Sequence, residues 1–461
     1  MKTSQIRIST TAIAIALGWA LPAKAQSADA AAVHQELAAM RAQMQQMAAR
    51  INTLESQLAA TQAKADTATA AVAAAPVPST NAKPATDITW DGAPKLATKD
   101  GWSFKPRGRL QVDVGSVDAP NGIASRNSFG VGTEFRRAYI GFDGTIPGGF
   151  GYRAEADLAN SAVDLTDLYL TYKANPDITL TVGQQKPFWG MEEMTSDLFT
   201  SFMERAAFSS AFGFERRVGV SATYSGKTLM MQGGIFADNA KDLTSDSDNS
   251  YSIDGRIVFM PKLAGGTLHI GGSAHYRRFN DLAHVGAYSA RPFIHTTDAR
   301  LVNTGTVMLV EGERSFGAEL AYIHGRFHAS AESHWFTAMR SGLADPTFNG
   351  GYAEVGYLLT NDVTAYKGGV YDRIRPKNPV NKGGIGAVQV NGRYEWLDLS
   401  DAGIVGGRQQ IGGASLLWIP TDYVRFILNY GHIWVDDAFL PAAGKRDYQA
   451  DVMGVRAQFD F

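Results

Sequence analysis

The residues best equipped for chemistry in this sequence are basic ones, set on alternate positions and around one irregular segment. Lys105, Arg107 and Arg109 share one face of SFKPRGRLQVDVGS, and Arg137 and Arg153 stand in the next two stretches. Lys186, Arg205, Arg216 and Arg217 fall within GQQKPFWGMEEMTSDLFTSFMERAAFSSAFGFERRVGV, residues 183–220. Arginine offers a planar fork of donors at fixed charge, which suits oxyanions. Gathered in a confined, partly dry space, such groups set ionic selectivity by their field. The carboxylates Asp113, Asp157, Glu192 and Glu193 would face them, giving a transverse field or simply compensating the arginines. Any one of these arginines could equally be a solvated, paired charge with no substrate.

Other chemistry finds little footing. Cysteine is absent, which excludes disulfides and thiolate chemistry. No Gly-x-Ser-x-Gly supports a hydrolase. His324 and His328 are four apart, one face of a strand, but without a third ligand, so no metal is expected. DLTSDSDNSYSID (242–254) is acidic but lacks the glycine and terminal glutamate of a calcium loop. The glycine runs TIPGGFG and NGGYAEVG open no helix, so no nucleotide fingerprint exists. The expectation is a protein that is not an enzyme and needs no cofactor. The formal net charge of -2 over 461 residues argues against nucleic acid.

The elements that must position those residues change character along the chain. Lys2 and Arg7, the short apolar run Thr11 to Leu21 and Ala23-Lys24-Ala25 read as a signal peptide over 1–25. The run is well short of the ~18 residues that cross a bilayer, which disfavours an anchor helix. Within 26–64, Val33, Leu37, Met40, Met44, Met47, Ile51, Leu54 and Leu58 are spaced 4-3-4-3-4-3-4. This is a heptad seam that buries nothing unless it self-associates. An amphipathic helix lying on another surface is the alternative, and the methionines leave dimer and trimer open. Residues 65–100, rich in Ala, Pro and Thr, read as a linker.

From 101 to 461 the periodicity is two. Very short connections (IPGG 146–149, NPD 175–177, SGK 225–227, HGR 324–326, PTD 420–422) alternate with long polar ones. Aromatics gather near strand ends, as with Tyr169 and Tyr172, Trp418 and Tyr423, and Trp434. The expected fold class is all-β: a transmembrane antiparallel barrel of about sixteen strands behind a coiled-coil helix. Counting strands puts the 183–220 segment after the fifth, on the long-loop side. Pro187 and Gly190 end the strand, and Met191 to Arg205 would coil into the lumen as a constriction. TNDVTAYKGGVYDRIRPKNPVNKGG (360–384) falls where a short turn is due and resists the count.

GQQKPFWGMEEMTSDLFTSFMERA…ERRVGV resembles the constriction segment of the phosphate-selective porin O and P family. PRGRLQVD (106–113), FRRAYIGFDG (135–144), GAELAYIHGRF (317–327), GIGAVQVNGRYEWLDLSD (384–401) and YVRFILNYGHIWVDD (423–437) extend the resemblance across the barrel. It implies a homotrimeric outer-membrane porin of a Gram-negative bacterium, set in lipid and lipopolysaccharide, passing small anions such as phosphate or polyphosphate. It also implies pore-facing roles for Arg107, Arg109, Arg137, Lys186, Thr195, Ser196, Asp197, Arg205, Arg216 and Arg217. The family's Thr-Ser-Ser becomes Thr195-Ser196-Asp197 here, and an aspartate beside Glu192 and Glu193 would repel a dianion. The alternative function is structural, a plugged barrel whose periplasmic coiled coil tethers the outer membrane to peptidoglycan.

Overall fold

A computed structural model describes residues 38, 41–42, 44–64, 86–123, 129–159, 161–243, 250–285 and 287–461. The signal-peptide residues, the heptad positions Val33, Leu37 and Met40, the linker over 65–85 and the acidic stretch 244–249 lie outside them. Residues 44–64 are helical, and Met44, Met47, Ile51, Leu54 and Leu58 are all solvent-exposed. This helix belongs to one compact unit, and residues 84–461 form the other.

The second unit is a closed antiparallel barrel of sixteen strands. Its first strand, Ser103–Asp118, pairs with its last, Tyr448–Asp460, along Asp460↔Arg109 to Asp451↔Asp118. Closure leaves no free edge, as a strand in lipid requires. The period-two pattern sorts side chains as expected. Leu110, Ile140, Leu170, Val182, Ile257, Leu320, Leu428 and Phe459 face outward and are exposed. Gln111, Asp113, Glu155, Glu319, Glu354, Arg393 and Arg456 face inward and are buried. All five short connections named above join neighbouring strands. Trp418 and Trp434 sit on the outer face, whereas Tyr169 and Tyr423 line the lumen.

The residues 86–98, read from sequence as linker, instead form a β-hairpin of Thr86–Asp91 and Ala93–Thr98. Its second strand continues onto the barrel through Leu96↔Phe104 and Ala97↔Ser103. The connection 359–386 follows the twelfth strand, Thr347–Leu358, on the short-turn rim. It is long because it turns into the barrel. The Tyr366 hydroxyl meets His269 Nδ1 at 2.5 Å, the Gly369 carbonyl accepts from Arg256 at 2.8 Å, and Arg373 pairs with Asp460.

Sixteen strands alone would leave a wide aqueous lumen. Much of it is filled. The segment after the fifth strand, Ile178–Gln185, and the loop 287–306 bring Phe202, Phe208, Phe212, Tyr288, Phe293 and Leu301 together. They pack on Phe336, Phe348, Tyr352 and Ile433 of the wall. Each such fully buried side chain contributes roughly 2 kcal/mol. The wall makes room with glycine: a Cβ on Gly431 would lie 2.7 Å from the Phe293 ring. An apolar core thus occupies one side of the barrel, against the later strands, and open space remains along the earlier ones.

Candidate functional site

The segment between the fifth and sixth strands is locally two short helices, Met191–Met194 and Ala207–Ala211. Four residues cannot hold a helix unaided. Glu332, across the barrel, accepts the orphan N–H groups of Met191 at 2.8 Å and Glu192 at 2.6 Å. A carboxylate is well placed at that positive helix end. At the other end Arg205 donates to the carbonyls of Glu192 (3.1 Å) and Thr195 (2.9 Å). A Cβ on Gly190 would lie 2.4 Å from a Glu332 carboxylate oxygen, so a larger residue there would displace the carboxylate from the helix end.

The rest of the segment is sewn to the wall by arginines. Arg425 donates to the Leu198 carbonyl at 2.7 Å and also to that of Thr200. Arg456 donates to the Met203 carbonyl and holds Asp113 with two bonds of 2.8 and 2.7 Å. Arg393 joins Glu192 at 2.6 Å to Glu354 at 2.7 Å. These side chains face inward yet spend their donors on the loop.

Among the cavities lined by the described residues, two of about 390 Å³ and about 560 Å³ lie toward the long-loop rim and the short-turn rim, and a third of about 460 Å³ opens beside Glu193 and Arg216. Lys186, Asp197 and Arg216 line both of the first two, so those spaces meet at these three side chains. The smaller of the two is lined by seven Lys and Arg against four carboxylates, the larger by eight against six. Asp197 stands between Arg109, with which it shares a short hydrogen bond, and Arg137 Nε at 2.6 Å. Burial alone would raise its carboxyl, but the two guanidiniums hold it well below the usual carboxylate range. Its charge is therefore permanent and already balanced, and the repulsion of a dianion expected from sequence is offset.

Lys186 sits 2.8 Å from Glu193 and is 17% exposed. Burial, reinforced by Arg205, brings its pKa down to about 8 although Glu193 opposes the shift. Arg216 holds Asp167 at 2.6 Å. Arg109 Cζ lies 4.5 Å from the centroid of the Tyr139 ring, a cation–π contact that helps hold the guanidinium in place.

Of the residues singled out from sequence, Lys105, Arg107, Arg109, Arg153, Lys186, Ser196, Asp197 and Arg216 line the larger cavity. Arg137 and Arg205 line the smaller one with Lys186, Asp197 and Arg216. Two do not reach the open space. Thr195 is turned away, donating to the Met191 carbonyl at 2.8 Å and accepting the Tyr371 N–H at 3.3 Å. Arg217, the first residue of the sixth strand, Arg217–Ser225, is buried, its guanidinium 5.9 Å from the centroid of the Trp189 ring of the in-folded segment. The transverse field also shrinks. Asp113 is locked to Arg456, Glu192 to Arg393, and Asp157 accepts backbone N–H groups of Ala138 and Ala159, so of the four only Glu193 lines either of the two cavities that meet at Lys186. His324 and His328 stand on either side of a turn, one outward and one buried against Glu354 at 3.1 Å.

Sequence reasoning passed over Arg136, Arg291, Arg300, Arg373 and Arg375, all cavity-lining. Arg136 is the extra residue of a β-bulge between Gln111↔Arg137 and Val112↔Phe135. The bulge turns two consecutive arginines inward. Arg136 then reaches Glu204 at 2.9 Å. The doublet in EFRRAYIGF was its only signal.

A family model described as phosphate-selective porin O and P matches residues 104–461. The chain belongs to this family. The porin is 43% identical over 450 residues to an uncharacterized protein of Caulobacter vibrioides, covering 94% of this chain and 90% of that one. Among solved structures it resembles OmpT, an outer membrane protein of Vibrio cholerae, with TM-score 0.52 and 10% identity over 79% of this chain and 99% of that one. A trimer form of that protein is similar too, with TM-score 0.51 and 11% identity over 78% of this chain and 100% of that one. An anion-selective porin from Comamonas acidovorans has TM-score 0.51 and 12% identity over 78% of this chain and 100% of that one. At such identities the likeness concerns the fold. Family and fold make this an outer-membrane porin.

Proposed function

We propose that this porin lets small anions, oxyanions of the phosphate type among them, diffuse passively into the periplasm. The reading rests on one observation: two cavities, both richer in Lys and Arg than in carboxylates, meet at Lys186, Asp197 and Arg216. Cations in excess along a narrow aqueous path concentrate anions and exclude cations. Arg109, Arg137, Arg205 and Arg216 carry the field, and Ser196 adds a hydroxyl beside Asp197. The test is the reversal potential of the purified protein in planar bilayers under a salt gradient, with chloride, phosphate, pyrophosphate and organic acids in turn. A cation-sided potential for every salt would overturn the reading.

The proposal extends to assembly. The short-turn rim faces the periplasm, and three copies assemble, as in the trimer form of the similar Vibrio cholerae protein. The exposed row Met44, Met47, Ile51, Leu54 and Leu58 then packs against the same row of other copies in a periplasmic coiled coil. Residues 1–25 are a cleaved signal peptide. The same exposed row favours a tether to peptidoglycan as an added role, since a coiled coil beyond the linker would reach the cell wall.

A further inference from the structure

The N-terminal hairpin reaches the pore. The tip of its first strand is Asp91, followed by Gly92 at φ +76°. A Cβ on Gly92 would lie 2.6 Å from the Tyr423 ring, so the tip is seated tightly on the fourteenth-to-fifteenth-strand turn. The Tyr423 hydroxyl donates to Asp91 at 3.0 Å. The same carboxylate lies 3.5 Å from Lys105 Nζ and 3.6 Å from Arg375, a residue of the inserted connection 359–386. All four side chains line the larger cavity. The hydrogen bond from Tyr423 holds the Asp91 carboxyl below its ordinary range, and it stays ionised at neutral pH. The other face of the hairpin carries Ile88 and Trp90, both exposed, with Leu96 and Pro94 opposite them. That apolar face continues the barrel's outer surface through Leu96↔Phe104 and holds Asp91 toward the water-filled side.

We propose that Asp91, delivered by the hairpin rather than by the barrel, is a selectivity-determining counter-charge at the short-turn mouth of the pore, damping the positive field of Lys105 and Arg375. This inference rests on the anion-conducting reading above. It assigns the hairpin a function the barrel strands do not share: the segment that joins helix to barrel sets the charge of the exit. The contact is exposed, so it adds little to stability. Its effect is on the ions passing within a few ångströms.

The experiment is reversal potential and single-channel conductance of full-length Asp91→Asn in planar bilayers at 0.1 M and 1 M salt. One charge at this distance in water changes the anion-to-cation permeability ratio by about two- to threefold at 0.1 M, and screening erases most of that at 1 M. Gly92→Val, which unseats the tip without removing the charge, shifts the ratio in the same direction by a smaller factor. If wild type is anion-selective and Asp91→Asn keeps its ratio at 0.1 M, the role given to Asp91 is wrong while the pore reading stands. A change that persists undiminished at 1 M is steric, and it overturns the proposal as well. A wild type that prefers cations removes the reading beneath it.

Discussion

Replacing Asp197 by Asn tests the charge arrangement at the meeting point of the two cavities. The side chain is nearly isosteric, and the loop keeps its ties to Glu332, Arg393, Arg425 and Arg456, so the perturbation is one unit of charge. A unit charge acting at 4 Å is worth about 1 kcal/mol in bulk water and about 4 kcal/mol at an effective dielectric of 20. The junction opens to solvent on both sides, so the lower figure applies. Since 1.4 kcal/mol is about tenfold, the anion-to-cation permeability ratio should rise about fivefold at 0.1 M salt, where the Debye length of about 10 Å leaves the field largely unscreened. At 1 M the gain should fall below twofold. Arg137→Ala should move the ratio the other way, and the double variant Arg137→Ala with Asp197→Asn should return near wild type, because together they remove one charge of each sign. The assay is reversal potential in planar bilayers, with heat-modifiable gel mobility to confirm a folded barrel. A folded Asp197→Asn porin with an unaltered reversal potential would refute the reasoning, since it would mean that ions do not pass this carboxylate.

Lys186 gives a pH signature: with its pKa near 8, it is charged below that value and neutral above, so anion preference should decline as pH rises from 7 to 9. Lys186→Met should abolish that step in a reversal-potential titration. Glu332→Ala removes two charge-assisted bonds to the Met191–Met194 helix, each worth about 1.5–3 kcal/mol, and should loosen the constriction. Noisier and larger single-channel currents are expected; quiet, wild-type currents would show the loop to be held by its arginines alone. Deleting residues 30–64 should leave conductance unchanged while lowering the thermal stability of the trimer or its retention by the cell wall, read by native electrophoresis and by fractionation with peptidoglycan.

Alternation was enough to predict a barrel, the strand after which the constriction falls, and which face of each strand is wet. Pleated backbone forces side chains to opposite faces every other residue, and lipid outside demands apolar groups on one of them, so the pattern is written locally. Arg107, Arg109 and Arg153 were legible for that reason. Arg136 was not, because a bulge breaks the parity that alternation assumes. Thr195 was misplaced for a related reason, since once the chain leaves the strand no period says which way a side chain turns, and Arg217 was misplaced because the in-folded segment sets Trp189 against it.

What the sequence by itself determined is the inventory: a chain that must close into a cylinder, carrying many inward arginines and a strand-breaking segment long enough to enter it. What only the tertiary structure decided is how those arginines divide. Arg393, Arg425 and Arg456 face inward as surely as Arg109 and Arg137, yet they hold loop carbonyls and carboxylates while the others meet the open space. The division depends on where the apolar core of Phe202, Phe208 and Phe293 settles within the lumen. That core is assembled from segments ninety residues apart, and no local pattern encodes which wall it will cover.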